Sequence, residues 1–99
     1  MKITKNFTDG VLTIEIDGRI DTMTAPELEG ELKHSVTGEV QTLMFDFAKV
    51  EYLTSAGIRV IMAAEKVMSR QGQMKLINVN DEINEIFDMT GLIDLLVIE

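Results

Sequence analysis

The sequence has no cysteine and no tryptophan, one proline, one histidine and one tyrosine, and no long apolar run. Each absence excludes something. Without cysteine there is no disulfide scaffold, no thiolate metal ligand and no cysteine nucleophile, a composition suited to a reducing cytoplasm. Spanning a bilayer takes ~20 consecutive apolar residues, and no stretch comes close. The start, Met1-Lys2-Ile3-Thr4-Lys5, runs into alternation rather than the apolar core of a signal peptide, so a cytoplasmic location is expected. Positive charge is scarce: 9 Lys and Arg stand against 17 Asp and Glu, a net charge of −8. Phosphate contacts need clustered cations, so nucleic acid is not an expected partner, and an anionic membrane surface would repel the chain. The acidity favours solubility and a partner with a basic or mixed face.

What is present is a globular composition, 45% apolar over 99 residues, enough for one domain with a single core spanning 1–99. Val11 to Asp17 alternates, with Leu12, Ile14 and Ile16 on one side, and reads as a half-buried strand closed by Gly18. Asp9-Gly10 before it is a hairpin turn signal that pairs Ile3–Phe7 antiparallel with it. Thr24-Ala25-Pro26-Glu27 reads as a helix start: a Thr cap, proline in the first turn and a glutamate completing a capping box. That helix should reach about Ser35. Thr42–Phe47 is nearly all apolar, which predicts a central strand covered on both faces, interrupted near its end by Asp46.

Val50–Thr54 then leads into a second helix from Ser55 or Ala56, with Ile58, Ile61, Met62 and Met68 at helical spacing and Gly72 as its stop. Lys75–Val79 is a strand. Asn80 or Asp81 caps a third helix carrying Ile83, Ile86 and Phe87, and Gly91 suits the left-handed position after it. Leu95–Ile98 is the last strand. The order β-β-α-β-α-β-α-β predicts an α/β fold with a mixed, mostly parallel sheet of about five strands and packed helices.

Enzyme chemistry finds little support. His34, the lone histidine, lies inside the first helix between Lys33 and Ser35 and reads as a surface residue. The glycines are scattered, so no phosphate-cradling loop exists, and no carboxylate spacing singles out an acid–base pair. Neither catalysis nor a metal or cofactor is expected. The one segment that stands out is Val50 to Arg59, where Thr54 and Ser55 sit at a strand–helix junction followed by Ala56 and Gly57. Two readings are open and compatible there: a helix N-cap, or a hydroxyl offered as a phosphate acceptor where the helix dipole tolerates an added dianion.

This segment resembles the signature of the STAS family, specifically the anti-sigma factor antagonists. Gly18-Arg19-Ile20-Asp21 matches the family's Gly-x-Leu/Ile-Asp, and Leu53-Thr54-Ser55-Ala56-Gly57-Ile58-Arg59 its serine segment. Leu76–Val79 fits the fourth strand, and Ile86-Phe87-Asp88-Met89-Thr90-Gly91-Leu92 the closing helix and turn. The resemblance implies a STAS fold and a partner-switching role. The unphosphorylated protein binds a serine-kinase anti-sigma factor and frees the sigma factor. Phosphorylation, at the position matched by Ser55, switches it off, and a PP2C-type phosphatase restores it. The resemblance places the partner surface at Asp21, Thr22, Thr54, Ser55, Ala56, Gly57 and Arg59. Thr54 stands where many members have Asp and others Ser. The alternative role within the family is a non-phosphorylated scaffold subunit of a transport or signalling complex. A monomer or weak dimer is expected.

Overall fold

A computed structural model describes residues 1–99. Strand β1 (Lys2–Thr8) and strand β2 (Val11–Ile20) form the expected antiparallel hairpin, with Thr8 opposite Val11. Its two-residue turn places Asp9 at φ +52° and Gly10 at φ +80°, the left-handed conformations such a turn requires. Gly18 does not close β2, as the sequence suggested. Its φ of +121° lets the strand bend and continue to Ile20.

The largest correction concerns strand β3, which runs unbroken from Thr42 to Leu53 rather than stopping at Phe47. Against β2 it carries two extra residues: Glu15 and Asp17 face Asp46 and Lys49, and Gly18 and Arg19 face Val50 and Tyr52. Two bulges therefore break the alternation, and the polar residues in the middle only look like a strand end. Asp46 Oδ1 holds the first bulge by accepting from Ala48 N–H and from Asn78 Nδ2, each at 3.0 Å. Nor is β3 covered on both faces. Leu43, Phe45 and Phe47 are buried, while Thr42, Met44 and Asp46 on the other face are only partly so.

The sheet order is β1-β2-β3-β4-β5, with strand β4 at Gln73–Ile77 and strand β5 at Val97–Ile98. All pairs after the hairpin are parallel. Helices α1 (Ala25–Ser35), α2 (Ser55–Met68) and α3 (Asp81–Met89) supply the crossovers. Leu28 and Leu32, Ile61 and Met68, and Ile83 and Phe87 join Leu12, Ile14, Phe45 and Leu76 from the sheet in one apolar core with no buried polar side chain. Each such large side chain stabilises the fold by about 1.5–3 kcal/mol on burial.

Helix ends account for the remaining differences. Asn80 caps α3, its side chain accepting from Ile83 N–H at 2.9 Å. Gly91 is left-handed at φ +77°, and the 3-10 turn that follows, Leu92–Asp94, delays β5 to Val97 instead of Leu95. α2 ends at Met68, four residues before Gly72. Gly72 is not left-handed. Glycine is needed there because a Cβ would collide with the Gln41 carbonyl oxygen. No helix is long and apolar enough to cross a membrane.

Candidate functional site

Strands β2 and β3 are parallel and finish opposite each other, Ile20 beside Leu53. Both hand over to helices at the same sheet edge, the place where open α/β sheets gather functional residues. The two exits are tied together. Thr54 N–H donates to Ile20 O at 3.0 Å, and the Thr54 hydroxyl lies 3.4 Å from the same oxygen. Thr54 thus cross-links the strand ends and does not cap α2 with its side chain.

Ser55 is the first residue of α2 and is exposed, with its hydroxyl in no hydrogen bond within the protein. The first bond into the helix is Ile58 N–H to Thr54 O at 2.9 Å. The N–H groups of the preceding turn therefore have no acceptor within the helix, and Ser55 sits among them at the positive end of the helix dipole. Arg59 follows one turn later on the same exposed stripe. Ala56 is partly buried. Gly57, expected on the partner-facing surface, is instead buried. Its Cβ position lies 2.6 Å from both Ile20 Cγ2 and Leu53 Cδ1, so glycine lets α2 start tight against the strand ends.

The second wall of the site is the turn after β2. The expected Thr24 cap with a Glu27 capping box is not formed. Thr24 has helical φ and ψ of −97° and −21°, and its hydroxyl turns back to donate to Arg19 O at 2.7 Å. Asp21 does the capping: its Oδ1 accepts from Met23 N–H at 2.9 Å and Thr24 N–H at 3.0 Å. Its own N–H donates to the Thr24 hydroxyl oxygen at 2.9 Å, and its carbonyl accepts from Ala25 N–H at 2.8 Å. The Thr24 N–H bond chiefly holds the Asp21 carboxyl below its usual value. Partial burial works the other way, and the Met23 N–H, the Thr24 hydroxyl and Arg19 add to the lowering.

Arg19 completes the brace, with Nε 3.6 Å from Asp21 Oδ2 and its guanidinium 4.7 Å from the Tyr52 ring centroid. A contact of this kind contributes about 0.5–1 kcal/mol at an exposed site. Held on this turn, Met23 stands 86% exposed. Thr22 and Pro26 face Ala56 and Arg59 across a hollow of about 220 Å³, so the turn and the start of α2 form one surface.

Of the residues expected from the sequence, Thr22, Ser55, Ala56 and Arg59 border this surface, Asp21 and Thr54 brace it from within, and Gly57 lies beneath it. Arg19, Met23 and Tyr52 were not anticipated. The signal for the brace was the Asp-x-x-Thr spacing of Asp21 and Thr24, which suits reciprocal side chain to backbone bonding. His34 lies on the last turn of α1, away from Ser55 and near Lys5 and Phe7 of β1. No three His, Asp or Glu side chains converge as metal ligands.

Comparison with known proteins agrees with this architecture. The STAS domain family model matches residues 2–99. The anti-sigma-B factor antagonist of Listeria monocytogenes is 31% identical over 100 residues, covering 100% of this chain and 87% of the relative. An anti-sigma factor antagonist from Mycobacterium paratuberculosis superposes with a TM-score of 0.88 at 24% identity, over 98% of this chain and 83% of that one. The phosphorylated form of the Bacillus cell fate determinant SpoIIAA superposes at 0.77 with 16% identity, over 99% and 91%. By the family match over nearly its whole length, and by a five-stranded mixed sheet with three helices, this chain belongs to the STAS domain family.

Proposed function

We propose that this protein is an anti-sigma factor antagonist whose Ser55 surface binds a serine-kinase anti-sigma factor, and that phosphorylation of Ser55 by that kinase releases it. The observation that carries the reading is the Ser55 hydroxyl: exposed, unbonded, at the first position of α2 and beside a rigidly braced turn. No base touches it, as suits a group that acts as substrate for another enzyme rather than as a nucleophile of its own. Support comes also from the relative in Listeria, itself an anti-sigma-B factor antagonist, and from SpoIIAA, whose fold is shared and which has a phosphorylated form. A PP2C-type phosphatase resets the switch, and the exposed position of Ser55 gives it access.

The energetics of such a switch are sufficient without a change of fold. Phosphate adds roughly −1.5 to −2 charges at neutral pH. Taking a complex from nearly all bound to nearly all free requires about 5.5 kcal/mol. A like-charge pair ~4 Å apart in a partly desolvated interface contributes on the order of 4 kcal/mol, and steric exclusion adds to it. Any movement stays within side chains of residues 54 to 59.

The test is binding of the purified chain to the serine-kinase anti-sigma factor of the same organism, measured by calorimetry. Ser55→Ala should bind like the natural protein and Ser55→Asp should not. If both variants bind normally, Ser55 is not the switch and the scaffold-subunit role takes its place.

A further inference from the structure

The last quarter of the chain carries a second surface, unconnected with Ser55. After Lys75 the sequence holds six acidic residues and no Lys, Arg or His. α3 starts at the Ser55 edge of the sheet, where Asn80 Nδ2 donates to Val50 O at 3.2 Å, and runs back toward the opposite edge. There Met89 is 80% exposed and Leu95 61% exposed, on either side of the Leu92–Asp94 turn, which packs against both α3 and β5.

The exposure does not come from a loose end. Phe87 and Leu96 beside them are buried, the Thr90 hydroxyl donates to Ile86 O at 2.8 Å, and the N–H groups of Leu95 and Leu96 donate to Leu92 O at 2.9 and 3.0 Å. Two large apolar side chains are thus held in water by a well-bonded scaffold, each next in the chain to an exposed carboxylate, Asp88 and Asp94. Glu85, one turn before Met89, together with Asp88 and Asp94, has no cationic partner within 4 Å.

We propose that this end of the molecule docks a basic amphipathic segment of a partner protein. Its apolar side chains cover Met89 and Leu95, and its Lys or Arg residues pair with Glu85, Asp88 and Asp94. The charge chooses this occupant. Nucleic acid and anionic lipid are repelled, and a second copy related by two-fold symmetry would bring the same carboxylates together. Because the Ser55 surface lies at the other strand edge, both can be occupied at once, and the proposal stands whether or not Ser55 is phosphorylated.

The experiment uses the full chain and a fluorescein-labelled helix of alternating Leu and Lys blocks, about 18 residues long, with a Leu and Glu counterpart as control. Binding is followed by anisotropy at about 0.15 M salt and mapped by amide chemical shifts. The Lys peptide should bind, shift residues 85 to 97 and spare 55 to 59, while the Glu peptide should not bind. Met89→Ser with Leu95→Ser should weaken binding at least about tenfold, and so should Asp88→Lys with Asp94→Lys. All four side chains are exposed, so an unchanged melting temperature will show that both variants fold. Shifts centred on another acidic surface, or full affinity in the serine variant, would overturn the proposal. So would concentration-dependent dimers of the free chain that the serine variant abolishes, because the occupant would then be a second copy.

Discussion

Gly57→Ala puts one methyl group where the start of α2 meets the strand ends. In an ordinary helix the exchange stabilises by about 1 kcal/mol, since alanine is the better helix former. Here the new Cβ would lie 2.6 Å from Ile20 Cγ2 and Leu53 Cδ1 and 3.0 Å from Ile20 O. Carbon atoms prefer ~3.5–4.0 Å, so the helix must retreat by about 1 Å or the side chains must turn. They have little freedom to do so: Ile20 and Leu53 are buried in the core, and Ile20 O is held by Thr54 N–H. Overpacking of this kind costs about 1–3 kcal/mol, and three close contacts place it near the upper end. Set against the propensity gain, the net loss is about 2 kcal/mol, a fall of roughly 10 °C in melting temperature for a domain this size. Gly30→Ala in α1 is the matched control, because nothing lies within 4 Å of its Cβ position. It should stabilise by up to ~1 kcal/mol. Urea melts followed by circular dichroism measure both. A Gly57→Ala protein as stable as the natural one would refute the claim that α2 is seated by this close approach.

Ser55→Asp should leave stability unchanged or raise it by about 0.3–1 kcal/mol through the helix dipole, and Ser55→Lys should lower it by a similar amount, both read from thermal melts. Loss of partner binding in the aspartate variant is then not loss of fold. Asn80→Ala removes both the α3 cap and the bond to Val50 O, and should cost about 1–2 kcal/mol in urea unfolding. The Asp21 carboxyl, lowered chiefly by the Thr24 N–H bond, should titrate below 3.8 in a pH series of carboxyl carbon shifts. Because the folded value is depressed, its contribution is complete above the unfolded value and disappears as pH falls through the folded one. The Met23–Thr24 amides should lose protection in that acid range, and Asp21→Asn should remove this pH dependence.

Local signals with one physical cause were readable directly. Asp9-Gly10 demanded a left-handed turn, Asn80 stood before an amphipathic helix, and Gly91 followed it; all three behave as read. The α/β order followed from them, and the family signature placed Ser55. What escaped depends on distant partners. Asp46 and Lys49 look like the end of a strand, yet β3 continues because it takes up two extra residues as bulges against β2, the second opposite Gly18 and Arg19. Thr24 has the sequence of a cap, but Asp21 wins the amides and the Thr24 hydroxyl is drawn to Arg19 O. From the sequence Gly57 reads as part of the partner surface and Gly72 as a helix stop. Each is glycine because another segment, Ile20 with Leu53 or Gln41, occupies the space of a side chain. The Arg19–Tyr52 contact pairs residues of adjacent strands only through the second bulge, which no local pattern reveals.

The proposed switch at Ser55 is tested most directly by incubating the chain with the serine-kinase anti-sigma factor and ATP, then measuring intact mass and mapping the peptides. The account predicts a single added phosphate, located on Ser55 and absent from the Ser55→Ala protein. A phosphate on Thr54 or elsewhere, or none with an active kinase, would contradict it.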